Sequence, residues 1–195
     1  MCHGIEKFVA YNARLTENGL KNISELPSLR LVVLHKIWRM CRVGDQYNDS
    51  EVLSSFFRNM SGKSLRCLVL SNCIGFDLAA FEELSKQNFP ELEALYISQH
   101  LIIENSEEMI KKLVANCSKL NHIHLKGEFG NISNEFLLDM FKDFNVHITI
   151  EDKVLNSGNE YISKKKFFED YLKKNDSQLY IKYQEIEEQS KWLAM

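Results

Sequence analysis

Apolar residues recur along this chain in two alternating patterns. In the first, three of them fall at the first, fourth and sixth places of a short stretch. Ile5, Phe8 and Ala10 do so, as do Leu29, Val32 and Leu34; Leu65, Leu68 and Leu70; Leu92, Leu95 and Ile97; and Leu120, Ile123 and Leu125. The last two of each trio alternate with other residues, which predicts a strand with one face buried. In the second pattern the spacing widens to three and four, as in Leu53, Phe56, Phe57 and Met60 or Met109, Ile110 and Leu113. That is the inward stripe of a helix. Strand and helix patterns take turns along the chain, which predicts the α/β class with a parallel sheet.

Punctuation fits this reading. Thr16 is placed to cap a helix carrying Leu20, Ile23 and Leu26 inward, and Pro27 ends it because proline lacks the amide hydrogen. Helices are expected over Glu51–Met60, over Phe76–Gln87 with Leu78, Phe81 and Leu84 inward, and over Ser106–Asn116 with Ser106 as N-cap. Ser133 caps the next, with Phe136, Leu137, Met140 and Phe141 inward, and a strand around Ile148 and Ile150 follows. The polar run from Arg39 to Ser50 reads as a loop insertion near 39–50. FFEDYLKKNDSQLYIKYQE resembles FLLDMFKDFNVHITIED in apolar placement, which puts Leu179 and Ile181 on a last strand. The final residues, near 184–195, read as a helical cap whose Trp192 and Leu193 cover the end of the core. Strand starts near Ile5, Leu29, Leu65, Leu92, Leu120, Asn145 and Asp176 are spaced 24, 36, 27, 28, 25 and 31 residues apart, so the whole chain, 1–195, reads as a single domain of about seven repeats.

LRCLVLSNC, Leu65 to Cys73, has leucine at its first, fourth and sixth places and cysteine at its ninth. It resembles a leucine-rich repeat of the cysteine-containing type. With LTENGLKNISELPSLRLVVL and LVANCSKLNHIHL it resembles the repeat domain of F-box/LRR substrate receptors. The resemblance implies a leucine-rich-repeat solenoid, with a curved parallel sheet on the concave side and helices on the convex side. It also implies a non-enzymatic module that recognises a substrate protein for an SCF-type ubiquitin ligase. In that family an F-box ahead of the repeats binds Skp1 and through it a cullin. No F-box stands in this sequence and the first strand pattern begins almost at Met1, which predicts either a fragment of a longer product or a repeat-only relative. The alternative in the same class is a stand-alone adaptor or regulator, of the inhibitor or GTPase-activating type.

Composition narrows the partners. A net charge of -3 argues against an electrostatic nucleic-acid binder, which needs a basic face. No apolar run is long enough for a membrane span, and the N-terminus has no basic-then-apolar leader. The five cysteines show no CxxC pairing, which predicts reduced thiols and a cytoplasmic or nuclear protein.

The residues between the strand leucines are expected to face outward, onto the concave side. Four of the six histidines and three of the seven tyrosines fall there. Tyr11, His35, Cys67, Tyr96, His122, His124, Lys126, His147 and Tyr180 are the candidate contacts for a protein partner. Tyrosine offers large contact area for little lost rotamer freedom, although outward strand positions also favour Tyr, Thr and Val for sheet packing alone. His122, His124 and His147 would lie on neighbouring strands and could bind zinc through neutral imidazole nitrogens. No carboxylate or thiol stands at matching spacing, so a partner-facing polar patch is preferred and no metal or cofactor is expected. Cys67 falls near His122 on the same face, which leaves a metal- or thiol-dependent enzyme as a remote alternative. A strand cysteine without a helix N-terminus or fixed base beside it is ordinarily inert, and no residue is assigned a catalytic role. Cys73 and Cys117 suit structural positions where a small thiol bonds backbone at a turn. Lys164 to Lys166 reads as the solvated side of a helix.

Overall fold

The computed structural model describes residues 4–37, 49–60, 62–98, 105–127, 129, 132–151, 153–155, 161–163 and 173. Strands and helices alternate: β1 (Lys7–Tyr11), α1 (Glu17–Ser24), β2 (Leu31–His35), α2 (Asp49–Asn59), β3 (Cys67–Ser71) and α3 (Leu78–Ser85). β4 (Ala94–Ser98), α4 (Ser106–Asn116), β5 (His122–Lys126), α5 (Asn134–Asp143) and β6 (His147–Glu151) continue the series. The six strands form one all-parallel sheet in the order β1-β2-β3-β4-β5-β6, so each strand pairs with the next along the chain. The fold class is α/β, as the alternating periodicities predict.

The strands align without slippage because period-two patterning leaves one answer. Moving any strand by one residue would turn its buried set to solvent. Val32, Leu34, Leu68, Leu70, Leu95, Ile97, Ile123 and Leu125 are buried on one face. They share a single core with Leu20 of α1, Leu53 and Phe57 of α2, Phe81 and Leu84 of α3, Ile110 and Leu113 of α4, and Met140 of α5. Phenylalanines thread that core: Phe57 meets Phe76 edge-on at 6.1 Å between ring centres, Phe76 meets Phe81 at 6.1 Å, and Phe81 meets Phe129 edge-on at 6.4 Å. Offset and edge-to-face geometries of this kind add to the burial energy of the rings.

Each rung ends on a turn that repeats. Asn12, Lys36, Asn72 and Gly127 directly follow β1, β2, β3 and β5, and all four have positive φ, at 48°, 50°, 51° and 129°. The backbone N–H groups of Asn12, Lys36 and Asn72 donate to His35, Ser71 and Ser98 carbonyls on the next strand, at 2.9, 2.8 and 2.7 Å. The left-handed residue thus turns the chain off the sheet while keeping its last ladder bond. Glycine and asparagine tolerate that conformation, and lysine adopts it at a cost.

Two buried cysteines close other turns. Cys73 Sγ donates to the Leu34 carbonyl at 3.2 Å, and Cys117 Sγ to the Gln87 carbonyl at 3.8 Å. Helix starts are capped by Thr16, Asp77 and Ser133, whose side chains each accept a backbone N–H three residues on, at 3.1 Å.

Three local expectations are corrected. Ser106 is the first helical residue of α4, and the N-cap is Asn105, which is left-handed and makes no side-chain cap bond. α3 starts at Leu78 behind the Asp77 cap, and Leu78 itself is exposed. Its inward stripe is Ala80, Phe81 and Leu84, because each three-residue step falls ~60° short of a full turn and the 78–81–84 spacing drifts Leu78 to the edge of that stripe. After β6 the chain forms an antiparallel pair, β7 (Lys153–Leu155) with β8 (Tyr161–Ser163), a stretch for which the sequence pattern gave no element. The insertion near 39–50 lies outside the described residues up to its last two positions, Asp49 and Ser50, which open α2. Tyr180 and the strand around it, and the cap near 184–195, lie outside the described residues.

Candidate functional site

The face of the sheet turned away from the core is built from alternate strand residues, and the unslipped register sorts them into three rows. Lys7, Leu31, Cys67, Ala94, His122 and His147 are Cα partners along the first. Val9, Val33, Val69, Tyr96, His124 and Thr149 form the middle row, and Tyr11, His35, Ser71, Ser98, Lys126 and Glu151 the third.

Directly opposed side chains on parallel strands stand close enough to touch, and here they do so as ring pairs. Tyr96 stacks on His124 with 4.5 Å between ring centres. His122 and His147 lie 5.0 Å apart, and Tyr11 and His35 5.4 Å, both tilted. The structure therefore places six of the expected residues on one face as three ring pairs, with Cys67 and Lys126 in the same rows. The His124 ring is the one stacked on Tyr96. Among the described residues, no three His, Cys, Asp or Glu side chains are placed to hold a metal ion.

Exposure along this face is graded. Lys7, Val9 and Tyr11 on β1 are exposed, with Val9 at 48% and Tyr11 at 63%. The outward residues of β2 are half-buried, as are the first two of β3, β4 and β5, whereas Ser71 and Ser98 in the third row are buried. On β6 the outward His147 and Thr149 are buried, at 1% and 5% exposed, with the Phe141 ring edge-on to His147 at 6.4 Å. His147 was expected as an outward contact. It shares a row with His122 but is shut away from solvent. Strand alternation identifies a face and carries no information about what lies over it.

Cys67 is half-buried beside Val69 and Ala94, and burial pushes its thiol up, with Glu93 adding to the shift. The thiolate that nucleophilic chemistry needs is thus disfavoured there. Burial also raises Cys117, and lifts Cys73 to about 11. The strand-entry edge of the face carries exposed ion pairs: Arg66 binds Glu93 through Nε and Nη2 at 3.0 and 2.8 Å, and Arg30 lies 3.9 Å from Glu6. Val9, Val33 and Val69 were outward by phase but passed over as contacts. They form a continuous apolar strip through the middle row, and the signal for it was the register itself.

No family model matches the chain, and no curated protein matches it in sequence. No helix among the described residues is long and apolar enough to cross a membrane.

Proposed function

We propose that this chain is a non-enzymatic protein-interaction module of the leucine-rich-repeat type, binding a partner protein along the open face of its sheet. The observation that carries the reading is the unbroken register of six parallel strands, which turns short outward trios into one continuous surface of aromatic, imidazole and apolar side chains. Stacked repeat units use such surfaces for extended recognition. The recurring Leu–x–x–Leu–x–Leu trios, the left-handed residue after the strands and the buried thiols bonded to backbone all support a leucine-rich-repeat solenoid. The raised Cys67 thiol speaks against thiol catalysis on that face.

Within this class, the resemblance of LRCLVLSNC and LVANCSKLNHIHL to F-box/LRR repeats favours substrate recognition for a Skp1–cullin ubiquitin ligase. A stand-alone adaptor of the inhibitor or GTPase-activating type is the second reading, favoured by the departure of several turns from the cysteine pattern. The test is immunoprecipitation of the endogenous product from native extract. Recovery of Skp1 and a cullin supports the ligase form. A product of this chain's own mass that recovers a partner without them supports the adaptor, and the ubiquitin reading then falls.

A further inference from the structure

We propose that the docking surface is the β1–β3 part of the open face, and that it takes an extended, acidic polypeptide segment with an apolar anchor. This rests on the interaction reading above and names where the partner sits and what chemistry it carries.

Accessibility decides the location. All three outward residues are exposed on β1; on β2 to β5 the first two of each strand are half-buried, Ser71 and Ser98 are buried and Lys126 is exposed, and on β6 His147 and Thr149 are buried. A partner approaching the histidine-rich β5–β6 end meets His147 and Thr149 already buried, while Val9 and Tyr11 stand open. Ile5, Val9 and Tyr11 are exposed large apolar residues on or beside one strand, and they continue into half-buried Leu31 and Val33. Side chains in one row repeat at the ~4.8 Å strand spacing and an extended chain rises ~3.3 Å per residue, so a segment of about three residues laid across the rungs spans β1 to β3. Tyr11 packed against His35 supplies a rigid aromatic wall of the sort that anchors interfaces.

Charge decides the partner class. The chain has more Asp and Glu (27) than Lys and Arg (24), yet no outward position of β1 to β5 is acidic. The acids Glu6 and Glu93 sit at the strand-entry edge beside Arg30 and Arg66, and Glu151 stands at the far β6 end of the third row, opposite Lys126. Lys7 borders the apolar strip on one side, and exposed Lys36 follows β2 on the other. A segment with acids flanking one apolar residue would match both features, and a basic one would meet like charge. A polyanionic nucleic acid is disfavoured, because a net charge of -3 gives no long-range attraction to phosphate.

The experiment pans the full chain against a displayed library of random peptides of about twelve residues, and measures the selected peptides on variants. We expect net-acidic peptides carrying an aromatic or branched apolar residue. Their affinity should fall about tenfold or more with Tyr11→Ser and with Lys7→Glu, and less than about threefold with His122→Ala or His124→Ala. Lys7 and Tyr11 are exposed, so these variants retain the fold, which circular dichroism checks. Acidic peptides lost with His124→Ala but not Tyr11→Ser would overturn the location and leave the open-face reading standing. Neutral or basic peptides would overturn the partner class alone. Failure to enrich any peptide overturns the docking of a linear segment. Retention of single-stranded RNA that Tyr11→Ser abolishes would overturn this proposal together with the protein-binding reading.

Discussion

Lys36 occupies a backbone position that other rungs give to Asn12, Asn72 and Gly127. Its φ of 50° places an ordinary side chain in the left-handed region, which costs about 1–2 kcal/mol for an L-residue. The turn is imposed by its surroundings: the Lys36 N–H is held at 2.8 Å by the Ser71 carbonyl, and the flanking His35 and Ile37 are packed. Lys36→Asn keeps a side chain whose short polar group tolerates this conformation, and it should recover most of the strain, about 1 kcal/mol. Lys36→Gly removes the strain completely but gives the unfolded chain more freedom, which offsets about 0.5–1 kcal/mol of the gain. Both variants should therefore be more stable than the parent, with Asn equal to or better than Gly. Urea denaturation reads the difference as a rise in midpoint at unchanged slope, and heating as roughly 2–4 °C in Tm for each kcal/mol at this chain length. The reverse change, Asn72→Lys at φ 51°, should lower the midpoint by a similar amount. If Lys36→Asn and Lys36→Gly both leave the midpoint where it was, the turn is not strained and the reasoning fails.

Other predictions follow from the same geometry. Gly62→Ala would set a Cβ 2.1 Å from Cδ1 of buried Phe89 at a φ of +52°, so it should cost about 2–4 kcal/mol by denaturant melting. Asp77→Ala removes both the cap on the Ala80 N–H and the acceptor for Ser50 Oγ at 2.6 Å, and should cost about 1–2 kcal/mol, with Asp77→Asn losing less. Cys73 ionises near 9 in the unfolded chain and at about 11 when folded, because burial disfavours the thiolate. The unfolded state therefore loses its proton first, and stability that is full below pH 9 should fall as pH rises toward 11. Cys73→Ala should flatten that part of the pH–stability curve. Alkylation under native conditions should modify Cys67 ahead of Cys73 and Cys117, slowly at pH 7 and faster as pH rises, since all three thiols are shifted upward but only Cys67 is half-exposed.

Much of this fold was legible because burial leaves a periodic trace. The pairs Leu68–Leu70 and Ile123–Leu125 announced both the strands and their phase, and Phe56–Phe57–Met60 announced α2. Local rules failed where two of them competed. Leu78 fits a three-residue leucine spacing, but a helix has about 3.6 residues per turn, so Leu78 drifts to the edge of the face that Ala80, Phe81 and Leu84 bury. Ser106 is a good capping residue, but a left-handed Asn105 holds the preceding turn and Ser106 is drawn into the first helical position. The face itself was legible by alternation, whereas the stacking of Tyr96 on His124 depends on register between strands distant in sequence. The closing of that face at His147 is a tertiary effect that no window of sequence contains.

The central claim is that the open face is the binding surface, and one comparison tests it directly. Val33→Arg places a charge in the middle of the half-buried apolar row without touching the core, and Glu82→Arg does the same on an exposed helix position. Proteins captured specifically by the parent chain from native extract, and quantified on both variants, give the answer. The account predicts recovery reduced by about tenfold or more with Val33→Arg and unchanged with Glu82→Arg. Equal recovery on the parent chain and Val33→Arg would contradict it.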